Sequence, residues 1–290
     1  CLSRKPRRRT AKCKMTAGKR VVNVINLGRM GYLRANDVQM RHARQHLDEL
    51  AGKPSSKGTN VLLLVEHTPV YTVGIRNQQY SHEDAFRLKS LGAEYYKTNR
   101  GGLITFHGPG QLVAYPVLNL QHFQPSMKWY ISALENTLIK TCQKFGITAR
   151  TTADTGVWVE DRKIASIGVH GSRFVTTHGC SLNSNIDLNW YKHIVPCGLQ
   201  GKEVTSLTKE TGQEVPLSDA IGPFLSSFQE IFDCDLEYNL LEAHEMEELI
   251  ANQHVLTQRM QNIQQCVRQM STSAVHQPQA ADPIIANPMW

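Results

Sequence analysis

No run of eighteen or more apolar residues occurs in the 290-residue chain, so no segment has the length and apolarity of a membrane-spanning helix. Acidic residues are missing from the whole amino-terminal stretch before Asp37, whereas Arg4, Lys5, Arg7, Arg8, Arg9, Lys12 and Lys14 crowd the first fourteen positions. Basic residues mixed with Ser and Thr and free of acidic ones predict a mitochondrial transit peptide over 1–19. With those seven charges set aside, 25 basic and 25 acidic residues remain, a balance that argues against a nucleic-acid-binding face. The seven cysteines are odd in number and scattered, which favours a reducing compartment over a disulfide framework. Also absent are a Gly-Lys-Ser/Thr phosphate loop, a GxGxxG turn, a Gly-x-Ser-x-Gly elbow and any Cys-x-x-Cys pair. Their absence removes the familiar nucleotide-loop, serine-hydrolase and zinc-finger readings.

What is present suffices for a folded body, since 41% of the residues are hydrophobic and a chain of this length can bury a core. Pattern predicts a strand over 21–27, then a helix over 32–50 carried by Leu33, Val38 and Leu47. Strands are expected at 60–65 and 70–74 around Pro69, a short helix at 81–91, and strands at 94–98 and 111–118. Met127, Ile131, Leu134, Leu138, Cys142 and Phe145 recur at spacings of three and four, which predicts an amphipathic helix over 126–145. Short strands at 156–159, 164–169 and 174–177 follow, the first two joined by a tight turn at 160–162. Pro216 and Asp219 introduce a helix that runs to Phe232. Strands interleaved with a few good helices predict an α/β (α+β) fold with a mixed β-sheet flanked by helices. The expected organisation is a leader at 1–19, a catalytic domain at 20–238, an accessory helix at 239–268 and a disordered tail at 269–290 rich in Ser, Ala, Gln and Pro.

The densest chemistry lies at 100–116. Gly101, Gly102, Gly108 and Gly110 permit close backbone approach, while Arg100, Thr105, His107 and Gln111 surround them with donors and acceptors. The stretch reads as a substrate cradle. Further dense regions run from Arg162 to His170 and from Thr177 to Asn183, and Pro196-Cys197-Gly198 places Cys197 on a loop. Each has a plain reading beside the functional one. Lys163 in a hairpin turn reads as a solvated surface lysine, Cys197 as a buried inert thiol, and His107 equally as a packed histidine or a catalytic group. His170, His178 and Cys180 fall within eleven residues, but their spacing completes no metal site, and no metal is expected.

Together, Arg100-Gly101-Gly102, Thr105, His107, Gly110-Gln111 and Tyr115-Pro116, with Lys163 to Val169, His178-Gly179, Leu182-Asn183 and Pro196-Cys197-Gly198, resemble the lipoyl(octanoyl) transferase family. The resemblance runs in order over roughly 20–210 and includes the upstream segment His67 to Gly74. It implies a fold like the catalytic domain of biotin and lipoate ligases, a mitochondrial location as in animal members, and no cofactor. It implies transfer of an octanoyl group from octanoyl-acyl carrier protein to a lysine of a lipoyl domain. The implied acceptors are lipoyl domains of 2-oxoacid dehydrogenase complexes and the glycine cleavage H protein, with no nucleic-acid partner. Residue by residue, it implies Cys197 as the nucleophile that carries the acyl group as a thioester, and Lys163 as the cation that favours its thiolate. Arg100, Gly101, Gly102, Leu103, Ile104, Thr105, Phe106 and His107, with Ser166, Ile167, Gly168, Gly179, Cys180 and Ser181, would line the acyl and pantetheine site.

Cys180-Ser181 stands where members commonly have a larger apolar residue followed by alanine, which bears on the shape of the acyl pocket. Two other readings share parts of the pattern. An ATP-dependent lipoate or biotin-type ligase would not need Cys197, and a non-catalytic module could bind acyl carrier protein or lipoyl domains without turnover. Asn99 before Arg100 and Gly108-Pro109 after His107 depart from the second arginine and the acidic residue that ligases typically carry there.

Overall fold

The computed structural model describes residues 20–54, 57–77, 80–196 and 201–238. The expected leader, Cys197, the accessory helix and the tail lie outside the described residues. In chain order the elements are β1 (Arg20–Met30), α1 (Tyr32–Leu50), β2 (Val61–His67), β3 (Val70–Val73), α2 (His82–Ser90), β4 (Glu94–Lys97), β5 (Ile104–His107) and β6 (Gln111–Val117). They continue with α3 (Met127–Gln143), β7 (Val157–Val159), β8 (Arg162–Ser172), β9 (Val175–Asn183), β10 (Glu203–Val204), α4 (Leu207–Thr211), α5 (Leu217–Phe232) and β11 (Cys234–Tyr238).

Two sheets result. The large one has the order β10-β8-β9-β6-β2-β1-β11 with β7 added beside β8, and the small one has the order β4-β3-β5. β1 runs parallel to both β2 and β11, whereas β2–β6, β6–β9 and β8–β9 are antiparallel. The sheet is mixed, as the pattern predicts. Parallel pairing of β1 and β2 requires a crossover, which α1 supplies. β2 reads Val-Leu-Leu-Leu-Val with every residue buried, the signature of a strand covered on both faces. Leu62 and Leu64 join the main core formed with α3 and α5, among them Tyr130, Leu134, Leu138, Phe224 and Phe228. α1 packs on β1, β2, β6 and β9.

α1 forms over 32–50 with Val38 buried, as the pattern predicts, but Leu33 is not on its buried face. Tyr32, Ala35, Val38, Gln39, Ala43 and His46 form its buried face, while Leu33 is 51% exposed. Tyr32 takes the inward place because its ring stacks on Tyr96 at 5.4 Å and tilts against His67 at 5.8 Å. The strands at 164–169 and 174–177 are also longer than their apolar runs, since β8 and β9 pair continuously from Ala165–Leu182 to Ser172–Val175.

The small sheet has its own core of Tyr71, Val73, Leu88, Tyr95, Ile104 and Phe106. Its β4–β5 connection reaches the large sheet, where the Gly101 amide donates to the Val169 carbonyl of β8 at 2.9 Å. This crossing brings the glycine-rich cradle against β8 and β9.

Candidate active site

The cradle is organised by Arg100, which is 8% exposed. Its guanidinium donates to the Thr72 carbonyl at 2.6 Å, to Thr72 Oγ1 from Nε at 3.2 Å, to the Gly101 carbonyl at 2.9 Å and to the Leu103 carbonyl at 2.8 Å. Those bonds tie β3 to the connection between β4 and β5, so Arg100 shapes the cradle by binding its backbone. Gly168 on β8 makes the close fit possible. A Cβ there would lie 3.0 Å from both Arg100 Cδ and the Gly101 carbonyl oxygen, closer than side chains pack.

Beneath the cradle lies a small recess of about 40 Å³ lined by Tyr32, Thr105, His107, Tyr115, His178 and Cys180, among others. Thr105 is 4% exposed, and its hydroxyl has no hydrogen-bond partner among the described residues. His107 is oriented by Gln111. The amide nitrogen of Gln111 is committed to Asn183 Oδ1 at 2.9 Å, Tyr191 Oη at 2.8 Å and the Phe106 carbonyl at 3.3 Å. Its oxygen therefore faces His107 and accepts from Nδ1 at 2.7 Å. That places the ring proton on Nδ1 and leaves Nε2 as an acceptor. His107 cannot donate to an oxyanion through Nε2 in this state, so backbone amides are left for that task.

Two further histidines are neutral for the same reasons. His67 donates from Nδ1 to the Met30 carbonyl at 3.1 Å and accepts at Nε2 from the Tyr115 hydroxyl at 2.8 Å. His178 donates from Nε2 to Asn99 Oδ1 at 2.6 Å, and its backbone amide meets Gln39. Burial lowers His107 to about 3, helped by His67 and the Arg100 cation. It also lowers His67 to about 4 and, with Arg100, His178 to about 3. Burial pushes the Cys180 thiol up to about 12, so this second cysteine stays protonated and is a packing group.

A larger cavity of about 360 Å³ adjoins the recess and shares Gly102, Ile167 and Gly168 with it. Lys163 opens onto this cavity. The surface reading of that lysine fails, because it is 4% exposed. Nζ donates to the Thr155 carbonyl at 2.8 Å and sits 5.2 Å from the centre of the Trp158 ring, so the cation is held by a carbonyl and an aromatic face. β10 lies beside it, with Val204 paired to Lys163 and the Thr205 amide donating to the Lys163 carbonyl at 2.9 Å.

The structure therefore brings together Arg100, Gly102, Leu103, Thr105, His107, Ser166, Ile167, Gly168, Gly179, Cys180 and Ser181 around the recess, and Gly101 and Lys163 on the adjoining cavity. Ile104 and Phe106 are not part of it. Alternation along β5 turns both into the small-sheet core, where Phe106 stacks on Trp190 at 4.9 Å. Tyr32, Thr72, Val113, Tyr115 and His178 also line the recess, and Arg76, Ile131, 153–155 and Val169 the larger cavity. Tyr115 and His178 lay inside the recognised segments, whereas Tyr32 and Ile131 arrive from helices that carry no motif.

Comparison with known proteins gives a consistent picture. A family model described as lipoyl protein ligase A/B catalytic domain matches residues 41–229. The chain is 52% identical over 225 residues to a Danio rerio protein named octanoyl-acyl-carrier-protein:protein N-octanoyltransferase, mitochondrial, covering 78% of this chain and 98% of that one. A human protein of the same name is 43% identical over 220 residues, covering 74% and 95%, and an octanoyltransferase of Christiangramia forsetii is 41% identical over 233 residues, covering 75% and 98%. Among solved structures, the putative lipoate protein ligase Ta0514 of T. acidophilum superposes with a TM-score of 0.59 at 14% identity, covering 79% of this chain and 92% of that one.

Proposed function

The chain belongs to the lipoyl protein ligase A/B catalytic-domain family, and from that membership we propose that it is an octanoyltransferase that moves an octanoyl group from octanoyl-acyl carrier protein to a lysine of a lipoyl domain. The observation that carries this reading is identity of 52% with a relative of that name across nearly its whole length. The site's geometry supports it independently, because a buried lysine faces a cavity large enough for an acyl chain.

Cys197 is the acyl carrier and Lys163 the proton carrier. A free thiol of pKa about 8.5 is only a few per cent thiolate at neutral pH, and a nearby ammonium raises that fraction. In the first half-reaction the Cys197 thiolate attacks the octanoyl thioester carbonyl. A carbon–sulfur bond to Cys197 forms, the bond to the carrier's thiol breaks, and the departing thiolate takes a proton from Lys163. In the second, the neutral amine of the acceptor lysine attacks the acyl-enzyme. A carbon–nitrogen bond forms, the Cys197 thiolate departs, and the proton released by the amine returns to Lys163. The neutral histidines of the recess hold the cradle and contribute no proton. Residues 20–238 serve as the catalytic domain, the 2-oxoacid dehydrogenase lipoyl domains and the glycine cleavage H protein as acceptors, and the mitochondrion as the location, as the names of the animal relatives suggest.

Intact-protein mass spectrometry after mixing the chain with octanoyl-acyl carrier protein, without ATP, tests the proposal. A gain of about 126 Da is expected for one octanoyl group replacing a thiol proton, lost in Cys197→Ser and slow to form in Lys163→Ala. Turnover that appears only with ATP and free octanoate would overturn it in favour of a ligase.

A further inference from the structure

We infer that Glu135 is a positioning residue for Lys163, acting through the single peptide group that joins Thr155 to Gly156. The inference rests on the reading of Lys163 as the proton carrier. The Lys163 ammonium donates to the Thr155 carbonyl at 2.8 Å, and the Gly156 amide donates to Glu135 Oε1 at 3.2 Å. That carbonyl and that amide belong to one planar unit, so a carboxylate and an ammonium sit at opposite ends of the same dipole. The negative end of the peptide faces the cation and its positive end faces the anion. Each bond polarises the group in the direction that strengthens the other.

The peptide has a demanding setting. Gly156 adopts φ +124°, and a Cβ there would lie 2.6 Å from Lys163 Cε and 2.7 Å from the Ala165 carbonyl oxygen. The loop thus runs directly over the lysine's side chain. On its upstream side, Trp158 Nε1 donates to the Asp154 carbonyl at 3.2 Å, and the Trp158 ring lies under the ammonium. Glu135 reaches this loop from α3, one turn beyond Ile131, which lines the same cavity as Lys163. Its carboxylate fixes the direction in which the Thr155 carbonyl points, and that direction sets where Nζ rests relative to an acyl group in the cavity.

The test compares Glu135→Gln, Glu135→Ala, Lys163→Ala and the double variant Glu135→Ala/Lys163→Ala of the whole chain. Readouts are the rate of octanoyl transfer at saturating substrates, the KM for each substrate, and the thermal midpoint. A positioning role predicts a fall in kcat of about tenfold for Glu135→Ala with KM within about twofold, a smaller fall for Glu135→Gln, and no further loss when Glu135→Ala is added to Lys163→Ala. A purely structural tie would lower the thermal midpoint and reduce the rate by the same factor in both backgrounds, which overturns the inference. So does a wild-type kcat in either folded Glu135 variant when Lys163→Ala is slow. If Lys163→Ala itself turns over normally, the reading of Lys163 fails first, and the inference fails with it. Glu135→Gln, which keeps an acceptor for the Gly156 amide while removing the charge, decides the matter should Glu135→Ala not fold.

Discussion

Gln111 accepts the Nδ1 proton of His107 at 2.7 Å while its own amide nitrogen is spent on Asn183 and Tyr191. One buried amide thereby sets the tautomer of a histidine and ties β6 to Asn183 of β9 and to Tyr191 in the three-ten turn Leu188–His193. Gln111→Leu keeps the volume and strips every one of these bonds. Asn183 Oδ1 keeps the Tyr191 hydroxyl as a donor at 3.2 Å, so the buried His107 ring N–H is the group left without a partner, at a cost of about 1–3 kcal/mol. Urea unfolding measures the loss, and a change under about 1 kcal/mol would show that the network is not structural.

Acid should unfold the protein through its buried histidines. His67, His107 and His178 have folded values of about 4, 3 and 3 against an ordinary 6.5. Between those limits the unfolded chain binds more protons than the folded one, so stability rises with pH across the window and is lost as pH falls from about 7 towards 4. Each histidine contributes a slope of about 1.4 kcal/mol per pH unit at most. Unfolding free energies measured at several pH values from 5 to 7 are expected to fall with the uptake of more than one proton. A flat profile over that range would mean that these rings protonate within the folded protein.

The segments recognisable in the sequence became elements that carry or support the site: β2, covered on both faces, shows as a continuous apolar run, and α3, covered on one face, as a period of three to four. β5 was not legible, since the pattern places no strand at 104–107 and counts all four of its residues in the site. Ile104 and Phe106 stand out of phase with Thr105 and His107, and only the second pair faces the recess. Lys163 was not legible as a buried group, since a two-residue turn beside it looks solvated until the loop at 153–156 folds over the side chain. Tyr32 and Ile131 were also beyond reach, because a helix face acquires a role in a site only through the sheet it packs against. The short edge strands β10 and β11 carry too few residues to show a pattern.

Thiol reactivity should separate the cysteines. Burial raises both Cys142 and Cys180 to about 12, so neither presents a thiolate at neutral pH and each is shielded from reagent. Peptide mapping after brief iodoacetamide treatment at pH 7.5 is expected to find carboxamidomethylation at Cys197, with Cys142 and Cys180 unmodified until denaturant is added. Labelling of Cys180 in the folded protein at a rate like that of Cys197 would place a second reactive thiol in the recess and reopen the identity of the acyl carrier.

Two glycines with positive φ distinguish backbone strain from damage to the lysine. Gly146 has φ +73° with open space where a Cβ would go, whereas Gly156 has φ +124° with Lys163 and the Ala165 carbonyl in the way. Gly146→Ala pays for the backbone alone, about 1 kcal/mol, and should leave transfer activity unchanged. Gly156→Ala pays for the backbone and for contact with a rigid strand that cannot yield, so the loop itself must move and take the Thr155 carbonyl away from Nζ. We expect it to lose about 2–4 kcal/mol of stability and, per folded molecule, to slow transfer by about a hundredfold. Urea unfolding and single-turnover transfer on the same samples separate the two effects. Equal stability losses with full activity in both variants would show that the loop over Lys163 can shift without disturbing the chemistry.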